Sequence, residues 1–347
     1  YANRTAIWFF VLLSVPAVVF TFAMLGRIPL FIGIGSLFGG GGDISMHAAR
    51  QMNTLQHRSG DTVYFGQGYL RQIYAVVSPV FLVALFVFDR LRPNSSKSLL
   101  VFMVMVFLVL AAALNGQIWI AIHVILLFLM GKYFVILSSG RKIKEYSLIF
   151  RGLLGYLALV GFVFAYRYLQ SIQGREFEDF IFDTLRRIYS AGGVELFGIF
   201  PSSEGFRYGA TWLNDLRGML PGSIQSFAYE VHYLVHGGAW GFTLSPGIVA
   251  SSYVNFGFIG VFGVGFSFTW LFTLIFSRLI NSGSAVKIAI SIYVSHRFTM
   301  AMPGDFTNYV VCLVTAAMMY LSYVLLNSFI RQVLGRKNAG NRSEALG

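Results

Sequence analysis

Arg167-Tyr168-Leu169-Gln170-Ser171-Ile172-Gln173-Gly174-Arg175-Glu176-Phe177-Glu178-Asp179-Phe180 opens a segment that has no place in lipid. The segment runs from Arg167 to Ser245. Eight of the chain's 14 acidic residues lie in it: Glu176, Glu178, Asp179, Asp183, Glu195, Glu204, Asp215 and Glu230. So do six arginines, Arg167, Arg175, Arg186, Arg187, Arg207 and Arg217, and no lysine. The chain on either side is apolar. A charge at the bilayer centre costs roughly 3 kcal/mol on insertion scales, so this segment is expected to stand outside the membrane as a cap over a helical bundle.

Composition agrees. The chain has 347 residues, of which 56% are hydrophobic and 12% charged, with a mean hydropathy of +0.68. A soluble protein carries roughly 25% charged residues. The expected fold is therefore all-α: a polytopic membrane helical bundle with a large extracytoplasmic loop domain. The single cysteine, Cys312, excludes a disulfide scaffold and a cysteine metal site. Much of the excess in the net charge of +12 lies in short loops and the C-terminal tail, where membrane orientation requires it, so no nucleic-acid partner is expected. Tyr1 is not a start residue, which leads us to expect a longer protein. The first apolar run lacks a small-residue cleavage site, so no cleavable signal peptide is expected.

A spanning helix needs about 20 apolar residues. By that measure about eight runs qualify: Ile7–Leu25, Leu70–Phe88, Leu99–Leu114, Ile118–Leu137, Leu148–Tyr166, Pro246–Phe276, Val286–Met302 and Phe306–Ile330. Asn115-Gly116-Gln117 makes the third and fourth a tight hairpin. Arg90, Arg92 and Lys97 follow the second run, Arg141, Lys142 and Lys144 the fourth, Arg278 and Lys287 flank the turn after the sixth, and Arg331, Arg336, Lys337 and Arg342 follow the last. These alternate loops are basic and are expected to face the cytoplasm. Residues 26–69, 115–117, 167–245 and 303–305 then face outward. The domain plan is an N-terminal bundle over 1–166, the outer segment 167–245, C-terminal spans over 246–330 and a basic cytoplasmic tail over 331–347.

Two outer regions carry candidate chemistry. In the first, Asp43 suits a helix N-cap, and a helix to Arg58 would put His47, Arg50, Thr54, His57 and Arg58 on one cationic face. That face is either a solvated surface or an anion-binding wall. In the second, Phe177, Phe180, Ile181, Leu185 and Ile188 recur at helical spacing, predicting an amphipathic helix. Phe200-Pro201-Ser202-Ser203-Glu204-Gly205-Phe206-Arg207-Tyr208-Gly209 reads as a loop, followed by short helices at Ala210–Leu216 and Ser223–Val235.

Arg297 lies inside the seventh run, about one turn from its outer end. It either snorkels to the interface or faces a polar cavity or an anion. Asp305 is its candidate partner, or else caps the final helix. Arg207 and Arg217 belong to the lysine-free segment, and arginine is the residue suited to forked phosphate contacts. Surface ion pairs are the competing reading, preferred for Arg175, Arg186 and Arg187. His232 and His236 are four apart, yet no third metal ligand stands at useful spacing, so no metal and no cofactor are expected. Glu230 and His232 remain general-base candidates. No Walker loop, Rossmann glycine pattern or Asp-x-Asp motif is present. Tyr208, Trp212, Tyr229, Tyr233 and Trp240 suit either sugar stacking or an interfacial belt.

Gly26-Arg27-Ile28-Pro29-Leu30, Asp43, Arg50 and Gly66-Gln67-Gly68-Tyr69-Leu70 resemble the first outer loop of oligosaccharide repeat-unit polymerases, the Wzy-type O-antigen and capsule polymerases. Tyr208-Gly209-Ala210-Thr211-Trp212-Leu213 through Leu220-Pro221-Gly222 resembles their large periplasmic loop. So does Ser245-Pro246-Gly247 followed by Tyr253-Val254-Asn255-Phe256-Gly257-Phe258-Ile259-Gly260. The resemblance implies a GT-C-like, metal-independent glycosyltransferase of the bacterial inner membrane, active on its periplasmic face. Its substrates would be oligosaccharides on undecaprenyl pyrophosphate, and its partners the bilayer, a chain-length regulator and a flippase. It implies that Arg50 and Arg207, with Arg217 second, handle lipid phosphates. Arg207, Arg297, Glu230 and His232 are thus the catalytic candidates, and Arg50, Arg58, Arg217, His47 and Tyr208 the substrate-binding ones. An O-antigen ligase shares the fold and donor; a lipid-oligosaccharide flippase is the alternative from another class.

Overall fold

A computed structural model describes residues 2–24, 28–37, 67–90, 98–115, 117–138, 205–217, 247–300 and 306–344, with single positions 155, 158, 161, 165, 178, 227, 230 and 231. Every regular element among them is a helix. The expected fifth span, the 43–58 helix and the amphipathic 177–188 helix lie outside the described residues, apart from those single positions.

Among the described residues four helices are long and apolar enough to cross a membrane: Asn3–Ala23, Leu70–Asp89, Gly247–Ile280 and Asn308–Leu334. This is a membrane protein. Leu99–Leu114 and Ile120–Val135 are shorter apolar helices. The helix over the expected seventh span runs only from Ala285 to Met300. We number the helices α1 (Ala2–Leu12), α2 (Ser14–Met24), α3 (Pro29–Leu37), α4 (Gln67–Gln72), α5 (Ser78–Arg90), α6 (Ser98–Leu114), α7 (Ile118–Ser138), α8 (Ala210–Arg217), α9 (Gly247–Ile280), α10 (Ala285–Met300) and α11 (Phe306–Glu344). The last does not stop where the basic tail was expected to begin. Arginine and lysine propagate a helix well, and positive charge near a helix C-terminus suits its dipole.

The chain forms two compact units. Unit 1 comprises 1–177, 282–292 and 318–347; unit 2 comprises 178–281 and 293–317. In unit 1, α5 is the hub, packed by α1, α6 and α7. Every residue from Val80 to Val87 is buried, so α5 is enclosed on all sides. α6 and α7 pack on each other as the expected hairpin. A π-helical turn, Ile73–Val77, joins α4 to α5. An extra residue per turn inserts this way without ending the helix. The turn carries Tyr74 into the bundle, where its hydroxyl accepts from Asn115 Nδ2 at 3.2 Å and donates to Gln117 Oε1 at 3.4 Å. Ser78 donates to the Phe10 carbonyl at 2.9 Å, tying α5 to α1.

Unit 2 is organised by α9, which is interrupted at Gly257 (φ 64°, ψ −154°). Only glycine adopts that conformation readily. A Cβ there would also stand 2.8 Å from the Phe206 ring.

Candidate functional site

The break at Gly257 interrupts the hydrogen-bond ladder of α9 just past Val254 and Asn255. A turn from elsewhere in the chain docks onto those two carbonyls. Arg207 N–H donates to Val254 O at 3.1 Å, and Tyr208 N–H to Asn255 O at 2.9 Å. The turn is tight: Gly205, Tyr208 and Gly209 have φ of 69°, 47° and 87°. Positive φ is ordinary for glycine and uncommon for tyrosine, and such conformations gather at functional sites.

Asn255, fully buried, locks the turn. Its Oδ1 accepts from Gly209 N–H at 2.9 Å, and its Nδ2 donates to Thr211 Oγ1 at 2.6 Å and Ser251 O at 2.8 Å. Trp212 Nε1 donates to Ser251 Oγ at 2.8 Å, fixing α8 against α9. The Phe256 ring lies against Tyr208 and Trp212. The side chain of Tyr208 itself is 76% exposed.

This scaffold aims Arg207. Its guanidinium grips Glu230 with both ends of the fork, Nη1 to Oε2 at 2.8 Å and Nη2 to Oε1 at 2.6 Å. The guanidinium also lies 5.9 Å from the Phe227 ring centre. Phe227 and Val231 are buried, and they anchor the segment that carries Glu230. The two side chains are 21% and 41% exposed, so the pair is reachable from solvent. Two candidates that sequence reasoning chose separately thus form one ion pair. A bidentate arginine of this kind matches carboxylate and phosphate geometry alike.

Arg297 sits elsewhere in unit 2. Its guanidinium lies 6.0 Å from the ring centre of Tyr293, one turn back on α10. Tyr293, Arg297 and Cys312 lie close together. The neighbouring His296 is buried. The next residue, Phe298, packs on Phe268, Phe272 and Tyr309. The Arg207 turn is tied to α9 before the break at Gly257, and Phe298 packs on α9 beyond it.

Arg217 ends α8, and only its backbone is described. His47, Arg50, Arg58 and His232 lie outside the described residues. The residue that sequence reasoning missed is Asn255. Its signal was present: an amide inside an apolar run, five residues beyond Ala250 and two before a glycine, must find buried partners.

No family model, no curated protein and no solved structure matches this chain.

Proposed function

We propose that this protein is a metal-independent membrane glycosyltransferase that polymerises undecaprenyl-pyrophosphate-linked oligosaccharide repeat units at the periplasmic face of the bacterial inner membrane. The observation that carries the reading is the Arg207–Glu230 pair on a turn locked to α9. It puts a forked cation and a carboxylate together in a reachable position, in a chain whose described residues include four helices apolar enough to cross a membrane. The family resemblance supplies the substrate class.

In this reading a hydroxyl of the acceptor sugar attacks the anomeric carbon of the donor glycan. The bond from that carbon to the pyrophosphate oxygen breaks as the new glycosidic bond forms. The hydroxyl proton passes to a base, for which Glu230 and His232 are the candidates. The departing pyrophosphate gains negative charge, and Arg207 is placed to meet it. Preorganised donors aimed at developing charge are worth roughly 10²–10³-fold in rate. Glu230 holds the guanidinium until the diphosphate replaces it as partner. Tyr208, exposed beside the pair, offers a ring to a sugar. Arg297 would contact another part of the lipid-linked substrate or serve the bundle alone.

The test is incubation of the purified protein with a lipid-linked repeat unit, followed by gel separation of the products. A ladder is expected without added nucleotide. Arg207→Ala should reduce it roughly 10²-fold or more. Arg207→Lys should not restore it, because a point charge lacks the fork. Both variants should keep the melting temperature of the parent to within the small effect of an exposed ion pair, about 1 kcal/mol or less. A full ladder from Arg207→Ala would remove this residue from the chemistry, and no ladder from the parent would remove the function.

A further inference from the structure

Away from the Arg207 turn, unit 1 contains a cavity of about 260 Å³. It lies where the starts of α1 and α10 meet the end of α5 and the middle of α11. Ile7 and Phe88 give it an apolar wall, and Asn3, Ser284 and Tyr323 give it hydrogen-bonding groups.

The charges around it are unbalanced. The acid nearest in sequence to the lining, Asp89, is paired with Arg4 at 3.1 Å. Two further cations lie near the lining, Arg331 by a bond to Asn3 and Lys287 as the residue after Val286. Arg331 Nη2 donates to Asn3 Oδ1 at 3.0 Å, and the Lys287 ammonium lies 5.5 Å from the ring centre of Tyr320. Among the described residues neither is paired with a carboxylate. With Oδ1 engaged by Arg331, the Asn3 amide has its Nδ2 donors for the cavity. An apolar wall, amide and hydroxyl groups, and two cations without acids are the complement of a small anion attached to something apolar.

We propose that this cavity binds a phosphate-bearing anion, the headgroup of an anionic phospholipid, with Arg331 and Lys287 as its cations. A basic pocket between membrane helices recognises such headgroups. None of its lining residues belongs to the Arg207 turn, and the proposal does not depend on the function proposed for that turn.

The protein is purified, stripped of lipid with detergent and placed in nanodiscs containing phosphatidylglycerol and phosphatidylcholine. The lipid retained on release is read by native mass spectrometry. Phosphatidylglycerol should be retained over phosphatidylcholine. The pair of substitutions Arg331→Gln and Lys287→Gln should cut that preference roughly tenfold or more. Asn3→Leu, which keeps every charge and nearly the same volume, should also weaken it. A parallel arm adds glycerol phosphate in solution: competition by it assigns the site to the phosphate group alone, and failure to compete assigns it to the intact lipid. Equal retention of the two lipids by the parent overturns the proposal. So does unchanged preference in both the charge variant and Asn3→Leu.

Discussion

The helices Leu70–Asp89 and Gly247–Ile280 are both long and apolar enough to cross a membrane and equally apolar, yet the most apolar 18-residue stretch is 72% buried within the protein in one and 6% in the other. The first is enclosed by three neighbours and contributes an unbroken buried run from Val80 to Val87. The second leaves Phe258, Ile259, Phe262, Phe266 and Trp270 exposed. Hydropathy measures transfer into hydrocarbon, and a lipid tail is as apolar as a leucine side chain. The scale is therefore blind to which of the two covers a helix. Hydroxyl groups do distinguish them. In the enclosed span Tyr74 and Ser78 bond to other helices or loops. In the exposed one Thr269, Thr273 and Ser277 return their hydroxyls to carbonyls of their own helix, at 2.8, 2.8 and 3.1 Å. A polar group that faces lipid has no other acceptor.

The largest expected effect separates the two directly. Leu85→Ala, at a fully buried position, should destabilise by about 2–5 kcal/mol, the usual cost of a core leucine with its cavity. Phe262→Ala, which removes more atoms from an exposed site, should stay within about 0.5 kcal/mol. Unfolding in mild detergent micelles measures both. Similar losses would mean that Phe262 is covered by protein, and the contrast would collapse.

Next in size is the place where α9 stops being a lipid-facing rod. Asn255→Leu keeps the volume and removes three hydrogen bonds. It leaves Gly209 N–H and Thr211 Oγ1 buried without their partner, at about 1–3 kcal/mol. The loss should be local: hydrogen exchange should speed up across 205–217 while α5 stays protected. If α5 loosened equally, the Arg207 turn would belong to the same cooperative unit as the core.

Much of this was legible from the sequence. Long apolar runs report helices because the backbone has no other way to satisfy itself in lipid, and the hairpin at Asn115 and the short helix from Ala210 both lie where turn residues put them. The π-turn at Ile73–Val77 was not legible. It depends on Tyr74 reaching Asn115 and Gln117, contacts more than 40 positions away along the chain. The break at Gly257 was hidden among glycines, since Gly260, Gly263 and Gly265 continue the helix with ordinary angles. Arg207 and Glu230 were each singled out by residue type. Their pairing required knowing that Phe227 and Val231 are buried, which turns Glu230 toward the turn.

The smallest effect tests the same contrast with single methyl groups. A Cβ at Gly131 of α7 would stand 2.7 Å from Cγ1 of Val83, in the middle of the enclosed span. Valine is stiff about χ1, so the ring of neighbours must move rather than the side chain. Overpacking of this kind costs about 1–3 kcal/mol, offset by the roughly 1 kcal/mol that alanine gains over glycine in a helix. Gly131→Ala should therefore be neutral to destabilising by about 2 kcal/mol. Adding Val83→Ala should recover part of that loss, a coupling that a double-mutant cycle reads directly. At Gly263 of α9 a Cβ meets nothing within 4 Å. Gly263→Ala should show the helix-propensity gain alone, about 0.5–1 kcal/mol of added stability. The difference comes from the same substitution in two apolar helices, because one methyl group enters packed protein and the other meets open space.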